Sequence, residues 1–460
     1  MVHPQKMTKL SWPGPFPKWI DFLYLLLLAA YVLAGAPLVP FHGDESTQIF
    51  MGRDYYYLFQ EGDLSKILYD SAWSSRQDEQ HLRLINGTVS KTIHGWLAAS
   101  QGTKLEQING HWDWEQDYAQ NSASNRIPDR SLLDAARLAS AAQLAMAVVA
   151  LFALVNISIG RQEAYVASAM FALHPALLIN GRRAMMEGSH LLGMTLVLLM
   201  AAWLLQEQRW WKFLLLGVAS GFAVAAKHPN AFVVALVFLA CAALWLYQTA
   251  KIPGQERRRP VQSLVGLLAA GGLALFIFYL MNPAWWLAPL ESGFEALSLR
   301  FALFQEQIAI FGGYNSLIER VQGFFRYVFV ENYQYFEAAQ WADYSEITQQ
   351  VSSYEASGLS GLSIGGSAAG GLLNLALTLV GGVHLLRSQD IEGKYRWLLI
   401  VLSGGIALIT LVATPLPWLR YYLPVLPFTM ILSAYALVRL AAICRGEIKG
   451  RLMRLGALQL

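Results

Sequence analysis

The sequence has few charged residues for its length. Asp, Glu, Lys and Arg make up 14% of its 460 residues, whereas soluble globular proteins contain about 25%. Hydrophobic residues make up 55%, and apolar runs of about 20 residues, the length that crosses a bilayer as an α-helix, recur along the whole chain. The composition excludes a soluble globular protein and predicts an all-α protein that crosses the membrane many times.

Cysteine is also scarce, and the common nucleotide- and metal-binding motifs are missing. The two cysteines, Cys241 and Cys444, fall in a predicted span and in the C-terminal tail, so neither a disulfide framework nor a cysteine-based metal site fits. The sequence contains no G-x-x-x-x-G-K-[ST] phosphate loop, no H-E-x-x-H pair and no tandem C-x-x-C motif. Nothing in it indicates binding to nucleic acid.

The apolar segments predict ten spans, and the charges orient them. With the N-terminus in the cytoplasm, the cytoplasmic segments hold 18 of the 34 basic residues, almost all in short segments, as the positive-inside rule requires. The first span is too long for the hydrophobic region of a signal peptide and is therefore predicted to be retained. We expect both termini in the cytoplasm and the protein in the plasma (inner) membrane. The predicted spans are 19–39, 132–155, 162–179, 184–205, 211–227, 229–249, 262–281, 369–387, 396–413 and 421–441.

The spans predict one membrane-embedded domain, 1–460, with two long segments outside the cytoplasm. Segment 40–131 contains 13 acidic and 8 basic residues, and segment 282–368 contains 9 and 3. Both are rich in aromatic residues, which predicts folded structure against the membrane. The remaining parts are the first span (19–39), spans two to seven (132–281), spans eight to ten (369–441) and the tail (442–460).

Two features of the second long segment suggest its local structure. Apolar residues from Phe294 to Phe311 recur at helical spacing and predict an amphipathic helix on the bilayer surface. The Gly- and Ser-rich stretch 357–371 predicts a flexible connection to the eighth span.

Two adjacent carboxylates, Asp44 and Glu45, follow the first span and precede an apparent helix, 46–60. A carboxylate at a helix N-terminus is stabilised by unpaired N–H groups and by the helix dipole, so a helix cap alone would explain the pair. The alternative is a general base held at the membrane surface, which contributes about 10²–10⁴-fold to a rate. The sequence leaves both interpretations open.

Cations occur in short turns on the predicted outer side, against the charge bias that orients the chain. Arg182 and Arg183 lie between spans three and four with Glu187 close behind, Lys227 lies between spans five and six, and Arg420 opens span ten. Anchoring at the membrane interface would explain each of these cations taken alone, because long basic side chains snorkel. Glu187 is expected to pair with one of the arginines. Guanidinium groups also match phosphate oxygens. Four cations opposite a carboxylate pair suit a substrate with an anionic leaving group.

Other side chains in these turns, and one tryptophan at the start of the second long segment, are candidates to line a substrate. For the tryptophan among them, anchoring in the interfacial aromatic belt is the alternative to stacking on a sugar. His174, in a predicted span before Pro175, fits a packing residue better than a ligand. The candidate lining residues are His228, Tyr421, Tyr422, Glu187 and Trp285.

In their order and sidedness these residues resemble those of the C-type glycosyltransferase superfamily. The chain looks like a bacterial member of the family 39 group, the phospholipid-carrier-dependent enzymes related to protein O-mannosyltransferases and to the aminoarabinose transferase of lipid A. The resemblance covers about residues 20–440. It rests on Asp44-Glu45 and on the segments 180–187, 221–227 and 420–424.

The resemblance implies a donor in which a sugar is linked to polyprenyl phosphate, and an acceptor hydroxyl outside the cytoplasm. It implies that Asp44 is the base for that hydroxyl and that Glu45 assists or orients it. Eukaryotic protein O-mannosyltransferases carry a soluble domain in the second long loop, which this sequence lacks, so protein, lipid and envelope glycan all remain open as acceptors. The cations expected to hold the donor phosphate are Arg183, Lys227, Arg420 and, as the weaker of the adjacent pair, Arg182.

The implied mechanism is a direct displacement that inverts the anomeric carbon, while fixed cations stabilise the charge left on phosphate. Some members of the superfamily use a divalent metal beside the acidic residue. Because no oxygen-ligand cluster is visible beyond Asp44 and Glu45, no cofactor or required metal is predicted, and a divalent ion near Asp44 is the alternative.

Two other functions stay open. One is a polyprenyl-linked glycan ligase, which transfers a glycan en bloc. The other is a transporter or flippase, which would place charges near the bilayer midplane and often contains repeats. The clustering of charge at one membrane face favours an enzyme.

Overall fold

We describe a computed structural model of the chain, residues 17–70, 77–251 and 258–456, with side chains for 17–70, 79–251 and 258–445. Within that part the regular structure is helical and no strand occurs. Lys6, Lys9 and Arg257, which contribute to the charge prediction, lie outside it. The α-helices in chain order are α1 (Lys18–Ala34), α2 (Gly43–Phe50), α3 (Arg53–Tyr55), α4 (Gln77–Ile85), α5 (Thr88–Ser100), α6 (Tyr118–Ala123), α7 (Arg130–Ser158), α8 (Arg161–Leu173), α9 (Pro175–Arg182), α10 (Glu187–Gln206), α11 (Trp210–Ala226), α12 (Asn230–Lys251), α13 (Arg258–Met281), α14 (Pro289–Phe311), α15 (Leu317–Phe325), α16 (Ser345–Ala356), α17 (Ala368–Arg387), α18 (Gly393–Ala413) and α19 (Leu426–Gly456).

Most of the predicted spans are single helices. Among the described residues, eight helices are long and apolar enough to cross a bilayer, so the protein is an integral membrane protein. The predicted span 211–227 corresponds to α11, a shorter apolar helix of 17 residues. The eight are α1, α7, α10, α12, α13, α17, α18 and α19.

The predicted span 162–179 is a bent pair of helices instead of one helix. α8 ends at Leu173 and α9 begins at Pro175, and the two axes are bent by 59°. Proline lacks a backbone N–H and forces the residue before it into an extended conformation, and His174 accordingly has φ −69° and ψ 121°. If the pair is one span, the apolar helices that cross a bilayer number nine in the described part of the chain.

Close approach of the helices α10, α11 and α13 depends on residues without large side chains. A Cβ on Gly193 of α10 would lie 2.7 Å from the Cα of Ala223 in α11, and a Cβ on Gly217 would lie 2.7 Å from the carbonyl oxygen of Ala270 in α13. Small residues at such crossings allow the backbones to pack closely, which is how helices associate in a bilayer. α11 therefore packs closely against both α10 and α13.

Both long segments fold into helices over one end of the bundle, most of them short. The predicted helix 46–60 is interrupted: α2 is followed by α3 and by a π-helical turn, Tyr56–Glu61. The predicted amphipathic helix is α14, and its residues Leu290, Phe294 and Phe301 are 66–79% exposed. An outward apolar face of this kind is typical of a helix that lies on the bilayer surface.

The Gly- and Ser-rich stretch before α17, predicted to be flexible, is anchored to the bundle. The N–H of Leu362 donates to the carbonyl of Leu173 at 2.7 Å, and the N–H of Gly366 donates to that of Val330 at 2.8 Å. Gly361 has φ +102°, and a Cβ there would lie 2.4 Å from the oxygen of Leu173. Because the break between α8 and α9 exposes backbone groups that need partners, the glycine-rich backbone fits there.

The two ends of the bundle differ as the alternation of spans predicts. At one end Arg161 of α8 pairs with Asp21 of α1 at 2.9 Å. Asp44, Lys227 and Arg420 lie together at the other end, which we name the site end. Which end faces the outside of the cell stays a prediction from the charge bias.

Candidate functional site

The site is organised by the N-terminus of α2. His42 is the N-cap, and its Nδ1 accepts a hydrogen bond from the N–H of Asp44 at 3.1 Å. The carboxylate of Glu45 accepts in turn from the N–H of His42 at 3.0 Å, which completes a capping box. Both carboxylates therefore sit in the first helical turn, as the sequence pattern predicts, but only Glu45 performs the capping.

Glu45 is fully buried and its oxygens are all occupied. They accept two 2.8 Å hydrogen bonds from the guanidinium of Arg137 and one of 2.8 Å from the N–H of Ala184, besides the one from His42. Burial raises the pKa of Glu45, but Arg137, the N–H of Ala184 and the charge of Arg183 together outweigh burial and hold the pKa below its usual value. A carboxylate can accept about four hydrogen bonds, and all four are made here. This arrangement suits the orienting role and leaves neither oxygen free to contact the hydroxyl of a substrate.

Asp44 is the accessible carboxylate of the pair. Its side chain is 29% exposed, and its Oδ2 accepts a hydrogen bond from Nη1 of Arg420 at 2.5 Å. Nε of Arg420 lies 3.4 Å from one oxygen of Glu337, and the other oxygen of Glu337 lies 2.7 Å from Nε2 of His42. We name His42, Asp44, Glu337 and Arg420 the Asp44 cluster.

The charges of the Asp44 cluster stabilise one another. Burial raises the pKa of Asp44 and of Glu337, but the neighbouring groups, Arg420 first among them, together outweigh burial, so both carboxyl groups have pKa values below their usual range. Burial lowers the pKa of Arg420, and the two carboxylates raise it well above its ordinary value. Since Nδ1 of His42 accepts from a backbone N–H, its Nε2 carries the proton donated to Glu337. Because its pKa is lowered, Asp44 is ionised at neutral pH.

The first of the two adjacent arginines is a structural residue. Arg182 is fully buried and donates to the carbonyls of Tyr31 and Val32 at the end of α1 and to the hydroxyl of Tyr354. A cation here satisfies unpaired carbonyls and the negative end of the helix dipole. The space for the guanidinium depends on Gly35, because a Cβ at that position would lie 2.3 Å from the guanidinium carbon of Arg182. The position of Arg182 does not support contact with a substrate.

The second arginine lies beside the Asp44 cluster. Arg183 is 1% exposed and donates to the carbonyl of Pro40 at 3.0 Å and to that of Tyr335 at 2.5 Å. Burial lowers the pKa of Arg183, and the charges of Glu45 and Glu337 oppose that effect. Arg183 therefore supports the segment that leads into α2, and its positive charge is part of the potential at the site.

Lys227 is paired with Glu187 across the turns that begin α10 and follow α11. Nζ of Lys227 donates to Oε1 of Glu187 at 2.7 Å. The expected pairing of Glu187 with an arginine is thus wrong, because α9 turns both arginines toward α1 and α2. Glu187 is buried, and its second oxygen has no hydrogen-bond partner among the described residues. Glu187 also raises the pKa of Arg420, which places the Lys227–Glu187 pair next to the Asp44 cluster.

The two adjacent tyrosines that were candidates to line a substrate differ in their positions. Tyr422 is 1% exposed and shares a 2.8 Å hydrogen bond with the hydroxyl of Tyr314, so it belongs to the core. Tyr421 is half-buried beside Arg420, and its ring stacks on Trp418 with centroids 5.6 Å apart.

His228 and Trp285 form a separate aromatic contact at the site end. Their ring centroids are 6.1 Å apart, edge to face. Nε2 of His228 has no partner among the described residues. Burial, and after it the charges of Arg300 and Lys91, lower the pKa of His228 to about 4. A neutral imidazole is thereby available for hydrogen bonding near the cations.

Two site residues were missed from the sequence, Glu337 and Arg300. Glu337 follows a run of aromatic residues and carries no motif. Arg300 lies on α14, is half-buried and donates to the carbonyl of Ile85; Asp44, Arg420 and Tyr421 act on its pKa, so it lies close to them. No described carboxylate lies within ion-pair distance of it. A lone arginine within the apolar stripe of a surface helix was the signal available for Arg300.

No metal site is evident in the part of the chain that the structure describes, where no three His, Cys, Asp or Glu side chains are grouped to hold an ion. The guanidinium of Arg420 bridges Asp44 and Glu337, the position in which a cation would balance both charges. Independence from metal stays a prediction.

Comparisons with known proteins concern the family and the fold of the chain. Residues 85–286 match the family model for dolichyl-phosphate-mannose-protein mannosyltransferases. The structure is similar to the archaeal oligosaccharyltransferase AglB from Archaeoglobus fulgidus in complex with an inhibitory peptide and a dolichol-phosphate, with a TM-score of 0.51 and 11% identity over 92% of this chain and 51% of that one. It is also similar to ArnT from Cupriavidus metallidurans in the apo state, with a TM-score of 0.50 and 13% identity over 94% of this chain and 61% of that one.

This chain has the C-type glycosyltransferase fold. The chain spans about half the length of AglB and 61% of the length of ArnT. At 11–13% identity the likeness concerns the fold, and no curated protein sequence matches significantly. The family match over residues 85–286 and the shared fold together support a relationship to the protein O-mannosyltransferase family and to ArnT.

Proposed function

We propose that this protein moves a sugar from a polyprenyl-phosphate donor to an acceptor hydroxyl at the extracytoplasmic face of the membrane. Asp44 is the proposed base. The observation that supports the proposal is the contact of Asp44, a partly exposed carboxylate, with Arg420 at the end of a membrane bundle where Arg300 and Lys227 also lie. A base for the acceptor and cations for the leaving phosphate are thus close together. Dolichol-phosphate, the lipid in the AglB complex, is of the same chemical class as the proposed leaving group.

The cations differ in their availability to a phosphate. Arg300 has no carboxylate partner among the described residues, so binding a phosphate would cost it no ion pair. Arg420 is 14% exposed and Lys227 is 16% exposed, and each would share its charge between a phosphate and a carboxylate. We therefore assign the donor phosphate to Arg300 and Arg420 first, with Lys227 beside them.

Arg420 would connect donor binding to the strength of the base. In the free protein Arg420 holds the pKa of Asp44 below its usual range, which makes Asp44 a weak base. A phosphate that accepts hydrogen bonds from Arg420 competes for the same guanidinium donors. The pKa of Asp44 then rises toward its ordinary value, and the carboxylate becomes a better base when the donor is in place.

The proposed reaction is a single displacement. The acceptor oxygen forms a bond to the anomeric carbon while the bond from that carbon to the phosphate oxygen breaks. The bonding electron pair leaves with the phosphate, where the cations stabilise it, and the acceptor proton passes to Asp44. Attack from the side opposite the leaving group inverts the configuration of the anomeric carbon.

Replacing Arg300 by Gln should raise the KM for the donor about tenfold or more, because a charged hydrogen bond to phosphate is lost. The KM for the acceptor should change little. Steady-state assays with varied polyprenyl-phosphate sugar measure the effect. Arg326→Gln is a matched control, because Arg326 lies in the same long segment and pairs with Glu331 while 64% exposed. Equal donor KM values for both variants would remove Arg300 from the phosphate site.

The rate at low pH should report the lowered pKa of Asp44. Because a lowered pKa keeps the carboxylate ionised to lower pH, kcat/KM should stay level from neutral pH down to about pH 4, the ordinary aspartate value. In Arg420→Gln the pKa of Asp44 should rise, since burial is then no longer opposed by that cation, and the acid limb of the residual activity should move to higher pH. An acid limb that is the same in both proteins would contradict the coupling.

Chelators should not reduce the rate. Since Arg420 already balances Asp44 and Glu337, we expect incubation with EDTA followed by dialysis to leave turnover within about twofold of the untreated value. Restoration of activity by added Mg²⁺ or Mn²⁺ after a loss would show that a metal acts at Asp44.

The glycan ligase is the second candidate, and the likeness to the oligosaccharyltransferase AglB favours it. A ligase needs the same phosphate-binding cations. Offering polyprenyl-linked oligosaccharides beside polyprenyl-phosphate monosaccharides separates the two functions, because a ligase transfers the oligosaccharide intact and does not use the monosaccharide donors.

A further inference from the structure

The helix α14 carries an uncovered apolar stripe. Four of its side chains recur at helical spacing and lie within about 60° of one another around the helix axis. They are 66–79% exposed. A contiguous apolar surface of this kind marks a contact with a partner or a membrane. The four residues, which we name the α14 stripe, are Leu290, Phe294, Leu297 and Phe301.

The α14 stripe continues the lipid-facing surface of α13. α13 is one of the helices long and apolar enough to cross a bilayer, and its Leu275 and Leu280 are 72% and 52% exposed. Seven residues, 282–288, connect it to α14, and a connection of that length keeps the start of α14 close to the end of the span. Leu287 in the connection is 65% exposed. Because the exposed apolar surface runs without a break from the span into the stripe, the bilayer is the surface that fits over it.

The other sides of α14 face protein and water. Ser292 and Ala296 are buried, and Ala296 belongs to one apolar cluster with Leu84 of α4. Glu291 and Ser298 are exposed and lie about 80° from the middle of the stripe, on the side away from the buried residues. The helix thus has three separate sides, for lipid, for protein and for water.

Arg300 lies between the lipid side and the protein side. Its position on the helix is about 90° from the middle of the α14 stripe, toward Ser292 and Ala296, and it donates to the carbonyl of Ile85. A helix whose apolar side chains enter a bilayer lies at the boundary of the headgroups and the acyl chains. An arginine at this angle is then held at the depth of lipid phosphates, on the side of α14 that faces the bundle.

We propose that the α14 stripe inserts into the leaflet at the site end and thereby holds Arg300 where a polyprenyl phosphate reaches it along the bilayer, between α14 and the bundle. The identity of this ligand rests on the proposed function. Phe294 and Leu297 are positioning residues that act through Arg300. An arginine held in place before the ligand arrives loses less freedom on binding, so the affinity for polyprenyl phosphate depends on the stripe.

Insertion is tested by electron paramagnetic resonance of the full chain in phosphatidylcholine vesicles. A nitroxide is attached in Leu297→Cys or, as the matched control, in Ser298→Cys; Cys444 is replaced by Ser, and Cys241 is buried. Relaxation by oxygen and by a water-soluble nickel chelate should place the label at 297 about 5–10 Å below the headgroup boundary and the label at 298 in water. Equal exposure of both labels to the nickel chelate would overturn the proposal. So would spin–spin coupling between labels at 297 of two chains, which would assign the stripe to a second copy.

The link to Arg300 is tested by titrating the protein in phosphatidylcholine nanodiscs with a short-chain polyprenyl phosphate. The double variant Phe294→Gln, Leu297→Gln should bind about fivefold more weakly than wild type. Ser298→Gln, the matched control, and Leu297→Met, which stays apolar, should bind as wild type does. An unchanged Kd in the double variant would overturn the link.

Neither measurement requires turnover, so the outcome is separate from that of the proposed reaction. An inserted stripe that supports binding of polyprenyl phosphate, in a protein that transfers no sugar, would overturn the reaction and leave this inference standing.

Discussion

Replacing Asp44 by Asn should lower sugar transfer at least about 10²-fold, because the amide cannot accept the proton of the acceptor. Asn keeps the size of the side chain and its place in the first turn of α2. Donor binding should change less than turnover, since the phosphate is assigned to the cations. The assay incubates membranes that contain wild type or Asp44→Asn with a panel of polyprenyl-phosphate sugars and follows product formation.

The control for Asp44→Asn is Asp63→Asn. Asp63 lies in the same long segment, is exposed, and bonds to Ser65 and Lys66 outside the site. Its amide variant should transfer sugar at the wild-type rate. Turnover of Asp44→Asn equal to that of wild type would remove Asp44 from the mechanism, and a product with retained anomeric configuration would rule out single displacement.

Replacing Arg137 by Leu should lower the free energy of unfolding by about 3–5 kcal/mol, because it leaves the carboxylate of Glu45 buried without its cation. Arg137 is 1% exposed and Glu45 is 0% exposed, so water cannot take the place of the lost partner. The measurement is equilibrium unfolding in mixed micelles, with helicity followed by circular dichroism. The loss of stability should be accompanied by loss of activity, because Glu45 caps the start of α2, where Asp44 lies.

Two further variants separate the buried charge from the lost packing. Arg326→Leu breaks an exposed pair with Glu331 and should cost less than about 1 kcal/mol. Adding Glu45→Gln to Arg137→Leu removes the unpaired charge and should recover part of the stability. If Arg137→Leu were as stable as Arg326→Leu, the Glu45–Arg137 pair would not support the site.

The membrane character and most of the helices were predictable from the sequence because they depend on local properties. A run of about 20 apolar residues partitions into a bilayer as a helix whatever its neighbours are. The gathering of Asp44, Lys227 and Arg420 at one end was also predictable, because alternation of spans decides the end on which each turn lies. Pro175 was a signal for a break in the helix, but the span was predicted from its apolar composition, which is the same for a broken helix as for a continuous one.

The roles of adjacent residues were decided by the tertiary structure alone. Asp44 and Glu45 are neighbours in sequence but point about 100° apart around α2. One meets Arg420, 376 positions away, and the other meets Arg137, 92 positions away. Such pairings depend on how distant helices pack, which no local pattern encodes. For the same reason Arg300, an unremarkable residue of a surface helix in the sequence, joins the site only when α14 folds over it.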